Sequence, residues 1–369
     1  MYHKKEKVII VSCGGTGGHL VPGLNLGSYL SLQYNLKVIY LVNMKKITSS
    51  FLKGVNEEVI ILPEIHYVKL ASFQLFDVIL KMISTLLYMV KLLFKYKIML
   101  VVSAGSGAGF LPVILCRFSG IKSVLLEQNA IMGKANKILS HFASYVFLSF
   151  PCSNMIENHK LLVTGNPVKR AFLDIEIKKN EAAKLFGLHP GRFTILFMGG
   201  SQGAARLNEI AIQVVSEFLS QEKDFQVIHL TGESNFEKCR DFYLEKGISV
   251  HCERFSSQMH SIYSLADIAI ARSGGGSLSE LMYFNIPVIS IPFPYAAEKH
   301  QHANAEVLVD KECGWVFDEN DFEDEATIPS VINILLNDDD QKLKRDNLNK
   351  FFKVDTYKEI SNRLDSILK

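Results

Sequence analysis

Eleven short apolar runs recur along the chain, each followed by a helix-length segment, and this repetition limits the fold more than any other feature. The first half holds "VIIV" (8–11), "KVIYLVN" (37–43), "EVIIL" (58–62), "IMLVVSAG" (98–105), "KSVLLEQN" (122–129) and "YVFLSF" (145–150). The second holds "RFTILFMGG" (192–200), "FQVIHLTG" (225–232), "ISVHC" (248–252), "ADIAIARSG" (266–274) and "IPVISIPFP" (286–294). Continuous runs of this length suit parallel strands buried on both faces. Strands alternating with helices give a doubly wound α/β sheet.

The alternation restarts after "LLVTGNPVKR" (161–170), where Gly165 and the Asn166–Pro167 step read as a hinge. At 369 residues the chain also exceeds one comfortable core. The expected organisation is two Rossmann-like domains, 1–165 and 166–349, facing a cleft where ligands meet the C-terminal ends of the strands. Six scattered cysteines without a CxxC pair argue against a zinc site or disulfide framework and fit a reducing cytoplasm. Lys4, Lys5 and Lys7 precede "VIIV", but that run is too short for an export signal and ends in glycines, so it reads as a first strand.

Charge is distributed unevenly. Residues 1–163 hold 17 Lys and Arg against 7 Asp and Glu, and the remainder 23 against 31. A basic first half suggests an anionic surface or substrate there. The lysines are not interleaved with aromatics, so nucleic acid is not expected. In the segment 74–97, Asp77, Lys81, Ser84, Tyr88, Lys91 and Lys95 fall on one helical face, with Ile79, Met82, Ile83, Leu86, Val90 and Leu93 opposite. The charge-free run is too short to span a bilayer. The helix reads as a core-packing element whose wide apolar arc, rimmed by lysines, can also lie on a membrane surface.

Three strand–glycine–helix junctions could carry chemistry. In "GGTGGH" (14–19) a helix N-terminus follows a glycine turn, a ready anion site, with His19 beside it. It is not the dinucleotide fingerprint, and Asn43 stands where a ribose carboxylate would end the second strand, which argues against NAD. In "GGSQGA" (199–204), Ser201 reads either as a phosphate donor or as a helix N-cap. In "RSGGGSLSE" (272–280), three glycines permit close approach, and Glu280 could accept both ribose hydroxyls or serve as a helix-start charge. The "HQH" of 300–302 does not place both imidazoles on one helical face, and amides there suit sugar hydroxyls better than a metal. The DxD-like "NDDDQK" (337–342) reads as a solvated helix boundary.

Taken together, "GGTGGHLVPG", "EQNAIMGKAN", "TGNPVK", "GGSQGA", "RSGGGSLSE" and "HQHANA" resemble the MurG family of lipid-I N-acetylglucosaminyltransferases, in order and spacing over nearly the whole chain. The resemblance implies the two-Rossmann GT-B architecture and inverting, metal-independent transfer of GlcNAc from UDP-GlcNAc. The implied acceptor is the C4 hydroxyl of MurNAc in undecaprenyl-pyrophosphoryl-MurNAc-pentapeptide, lipid I, and the implied product is lipid II for peptidoglycan. No cofactor or metal is implied. It also implies a peripheral protein at the cytoplasmic face of the inner membrane, with a tail helix, here 350–369, packed back on the first domain.

Carried over residue by residue, the resemblance implies donor contacts from Thr16, Gly17, Gly18, Asn129 and Ser201, and from the loop Gly275, Gly276, Ser277, Leu278, Ser279 and Glu280. It places Glu280 on the ribose, Gln301 on the sugar, and the Ser256 backbone on uracil, with His19 as general base. Lys169, followed by Arg170, stands where the family commonly has a donor-binding arginine. Lysine replaces that charge but not its fork geometry. The family's glycine-tyrosine acceptor loop appears as "SAGSGAGF" (103–110), so acceptor contacts are not carried over. The alternatives are a related transferase or epimerase acting on another substrate, and a non-catalytic module binding a UDP-sugar or carrier lipid.

Overall fold

A computed structural model describes residues 5–14, 16–43, 52, 55–63, 74–105, 107–153, 155, 159–174, 177–200, 204–352 and 354–369. The chain divides into two compact units, Met1–Arg170 with Val354–Lys369, and Ala171–Lys353. Unit 1 holds β1 (Lys7–Cys13), β2 (Lys37–Asn43), β3 (Glu58–Leu62), β4 (Lys97–Ser103), β5 (Lys122–Glu127), β6 (Tyr145–Leu148) and β7 (Leu161–Val163). These form one parallel sheet in the order β3-β2-β1-β4-β5-β6-β7. Unit 2 holds β8 (Phe193–Met198), β9 (Phe225–Leu230), β10 (Val250–Glu253), β11 (Ile268–Ala271), β12 (Val288–Ser290) and β13 (Gly314–Val316). Their parallel order is β10-β9-β8-β11-β12-β13.

In each sheet the order reverses beside the first strand, between β1 and β4 and between β8 and β11. Such switch points open a crevice at the C-terminal strand ends. The β-branched runs explain the sheets: β1, β2 and β4 are almost wholly buried, as strands covered on both faces must be. Two strands, β7 and β13, lie outside the runs read from sequence; each forms the edge of its own sheet, β7 beside β6 and β13 beside β12.

The helix Gly17–Tyr34 packs tightly on β1 and β2 because Gly27 leaves no side chain there. A Cβ at position 27 would stand 2.5 Å from the Tyr40 hydroxyl. The tail helix Thr356–Leu368 starts at Asp355, which accepts the Lys358 N–H, and buries Tyr357, Ile360, Leu364 and Leu368 in the unit 1 core. Tyr29 and Tyr34 reach Ser361 and Asp365 at 2.7 Å each. The Tyr357 hydroxyl donates to Val168 O at 2.5 Å and Asn25 to Pro167 O at 2.9 Å, so the "GNPV" segment is tied to unit 1 from two elements.

The helix Gln74–Lys95 divides its apolar arc differently from the helical-wheel expectation. Among its described side chains Thr85, Met89 and Leu92 are buried, while Ile79 and Ile83, expected on the packing face, are exposed. Phe76, Leu80, Leu87 and Phe94 are exposed as well. The arc is wider than the sheet and its neighbours can cover. Among the described residues, no helix is long and apolar enough to cross a membrane.

Unit 2 encloses His229, which is fully buried between the Tyr243 hydroxyl at 2.9 Å and Asn208 Oδ1 at 3.1 Å. Burial holds its pKa down to about 3, against an ordinary value of 6.5. The folded chain therefore leaves this imidazole neutral where the unfolded chain protonates it. Unit 2 is expected to lose stability as pH falls from about 6.5 towards 3, by up to about 1.4 kcal/mol per pH unit. Trp315, the only tryptophan in the sequence, lies in unit 2 and reports its unfolding by fluorescence. The urea midpoint should drop between pH 7 and pH 5, and the drop should shrink in His229→Gln; an equal drop in that variant contradicts the assignment.

Candidate active site

Unit 1 gathers its chemistry at the C-terminal ends of β1, β4 and β5. Thr16 is the extended N-cap of the helix that follows β1, and its carbonyl accepts the His19 and Leu20 amides at 3.1 and 2.9 Å. Gly17 and Gly18 open the first turn, where amides lack intrahelical acceptors. Neither a side-chain cap nor an acidic first-turn residue occupies this terminus, so its partial positive charge is available to an anion. A Cβ at Gly18 would meet no heavy atom within 4 Å, and its backbone is not left-handed. The fold itself does not demand glycine there.

His19 is half-buried, and its Nδ1 lies 2.9 Å from Gln128 Oε1. Gln128, buried at the end of β5, was not singled out by sequence reading, although it lies inside the "EQN" motif. Glu127 beside it is 2% exposed. Its carboxylate accepts from the Asn129 backbone (3.1 Å) and amide (3.3 Å), the Gly133 N–H (3.0 Å) and Asn136 Nδ2 (2.9 Å). This buried carboxylate clips the 127–136 turn together and thereby fixes Asn129. Lys169 and Arg170 are exposed at the end of unit 1.

Unit 2 places its candidates after β10, β11 and β12. Ser256 follows β10, its hydroxyl accepting the Gln258 N–H at 3.1 Å. Gly274, in extended conformation, caps the helix Gly275–Tyr283, whose first turn carries no acidic residue. A Cβ at Gly274 or Gly276 would meet nothing within 4 Å. Leu278 is fully buried, and the Ser279 hydroxyl donates to Gly275 O at 2.6 Å, so these two side chains serve the helix. Ser277 is half-buried. Glu280 accepts a 2.7 Å hydrogen bond from Tyr263 at Oε2. Burial raises the Tyr263 phenol well above its ordinary pKa, keeping it a donor. Gln301, near the start of the helix His300–Asp310, accepts the Phe293 N–H at 2.9 Å. Ser201 lies outside the described residues.

The Gln301 loop is held by Arg272, which follows β11. Its buried guanidinium donates to Ile291 O and Pro292 O at 3.0 Å each and pairs with Glu319. Neither Tyr263 nor this ion pair was legible as part of a site. The two histidines of "HQH" have separate partners, His300 with Ala297 O at 2.6 Å and His302 with Asp318 at 3.4 Å. Asp338, Asp339 and Asp340 form the first turn of the helix Asp338–Phe352, where Asp340 accepts from Trp315.

Comparison with known proteins matches residues 9–148 to the glycosyltransferase family 28 N-terminal domain and residues 194–360 to its C-terminal domain. A UDP-N-acetylglucosamine--N-acetylmuramyl-(pentapeptide) pyrophosphoryl-undecaprenol N-acetylglucosamine transferase from Flavobacterium psychrophilum is 30% identical, covering 93% of this chain and 92% of that protein. The crystal structure of Acinetobacter baumannii MurG superposes with a TM-score of 0.77 at 21% identity, covering 98% of this chain and 99% of that one. The chain belongs to the MurG family. The transferase of the same name from Carboxydothermus hydrogenoformans is 27% identical and covers 98% of both chains. Family membership and the two parallel sheets establish the GT-B fold class expected from sequence.

Proposed function

We propose that this protein transfers GlcNAc from UDP-GlcNAc to the C4 hydroxyl of MurNAc in lipid I, giving lipid II. The observation that carries this reading is the likeness to transferases of that name over nearly the full length of both chains. The site chemistry supports it. Two uncapped helix N-termini beginning in glycines, at 17–18 and 275–276, offer amides to a pyrophosphate. Gly18, Gly274 and Gly276 are glycines the fold does not require, which suits close approach by a ligand.

Unit 2 is the donor side in this reading. Glu280 receives the ribose hydroxyls, Gln301 the sugar, and the Ser256 backbone the uracil, with Ser201 and the 275–280 turn at the phosphates. Thr16, Gly17, Gly18, Asn129 and Lys169 add donor contacts from unit 1. Unit 1 receives the acceptor. His19 takes the C4–OH proton as that oxygen attacks the anomeric carbon from the face opposite UDP. The anomeric C–O bond breaks, its electron pair leaves on UDP, and the configuration inverts. Amides and helix dipoles stabilise the departing diphosphate. An acceptor swap tests the assignment: lipid-I analogue should be glycosylated and diacylglycerol should not, whereas the reverse preference contradicts it.

In this reading the acceptor's undecaprenyl tail sets the reaction at a membrane surface, and the face proposed is the cytoplasmic one. The exposed stripe Phe76, Ile79, Leu80, Ile83, Leu87 and Phe94, with exposed Lys91 and Lys95 alongside, suits an anionic bilayer surface. Replacing Ile79, Ile83 and Leu87 together by serine should abolish most sedimentation with anionic liposomes while the far-ultraviolet circular dichroism is kept. Undiminished sedimentation of the folded variant would remove this surface from the reading.

A further inference from the structure

The hydrogen-bond pattern around Gln128 determines which nitrogen of His19 carries the proton. Gln128 is 2% exposed, so its amide has no water to turn to. Its Nε2 lies 3.2 Å from Ala104 O and 3.4 Å from Leu126 O. Both are carbonyl oxygens, which only accept. Reversing the amide would set oxygen against two oxygens, so the network assigns NH2 to that side. Oε1 therefore faces His19 Nδ1, at 2.9 Å. An amide oxygen only accepts as well, so the hydrogen between them belongs to Nδ1. In a neutral imidazole the other nitrogen, Nε2, then holds the lone pair.

We propose that Gln128 is a positioning residue that fixes His19 in the Nδ1–H tautomer, making Nε2 the atom that accepts the acceptor's C4–OH proton. The proposal deepens the function above and rests on His19 as its base. Gly105, at the end of β4, keeps the Nδ1 edge open for the amide. Its φ is +93°, and a Cβ there would stand 2.8 Å from Nδ1 and 3.1 Å from Cε1. Three strand ends thus cooperate: β1 leads into the helix bearing His19, β4 supplies the Ala104 carbonyl and the glycine, and β5 supplies the amide. A neutral partner also orients the ring without adding the negative charge that would favour an imidazolium, which has no lone pair to accept a proton.

The test is nitrogen NMR of the full chain labelled with 15N-histidine, at alkaline pH where imidazoles are neutral. The sequence has 11 histidines, and the His19 signals are those lost in His19→Gln. The expected result is a protonated-type Nδ1 and an unprotonated-type Nε2. A dominant Nε2–H form in the parent protein overturns the proposal. Kinetics supply a second readout. Gln128→Leu should lower kcat about tenfold or more, with KM for UDP-GlcNAc within about twofold and the tautomer signals redistributed towards Nε2–H. A folded Gln128→Leu variant with parental kcat also overturns the proposal. If His19→Ala keeps full kcat, the base role fails instead, and the parental tautomer signals still report on Gln128 alone.

Discussion

Replacing His19 by alanine should lower kcat for GlcNAc transfer by about 10²–10⁴-fold, the usual contribution of a positioned general base. The KM for UDP-GlcNAc should stay within about twofold, because the proposed uracil, ribose and sugar contacts lie in unit 2. The proposed roles lead to this division. His19 is the third residue of an uncapped helix, beside amides suited to an anion, and its ring is held by one buried side chain. Steady-state kinetics with both substrates varied checks the expectation. A KM rise with unchanged kcat would mean that His19 binds substrate and does not move its proton.

The largest expected effect on folding comes from the Arg272–Glu319 pair. Arg272 is 6% exposed, and its guanidinium is satisfied by two carbonyls as well as by Glu319. Glu319→Leu leaves that charge buried without its counter-ion. The expected loss in unit 2 is about 3–5 kcal/mol, the usual cost of breaking a buried pair from one side. Arg272→Met combined with Glu319→Leu should be less destabilised than Glu319→Leu alone, because no uncompensated charge remains. Trp315 fluorescence during chemical denaturation separates these cases. A loss below about 1 kcal/mol in Glu319→Leu would show the pair to be solvated. The double variant should also raise KM for UDP-GlcNAc, since Arg272 holds the Ile291–Pro292 segment leading to Phe293, whose N–H orients Gln301.

Much of the fold was legible because burial on both faces leaves a local mark, a continuous β-branched run. β7 and β13 left no such mark. "LLV" is only three residues and runs into Gly165 and Pro167, which read as a hinge, and "GWV" begins with a glycine. The helix Gln74–Lys95 shows a related gap. Periodicity identifies an apolar arc, but which third of it meets the core depends on the sheet it packs on. At the site, the glycine turns could be read because their chemistry is local. Gln128 meets His19 across 109 residues and Arg272 meets Glu319 across 47, and no spacing rule encodes such partners. Glu127 is different. Its donors Asn129, Gly133 and Asn136 all follow within nine residues, so a carboxylate-centred turn could have been found in "EQNAIMGKAN".

The most direct measurement is transfer of labelled GlcNAc from UDP-GlcNAc to a lipid-I analogue in excess EDTA, with the anomeric configuration of the product determined. A β-linked disaccharide formed at an undiminished rate is expected. UDP-GlcNAc that binds without being transferred, or transfer that stops on chelation, would contradict the metal-independent lipid II synthesis proposed for this chain.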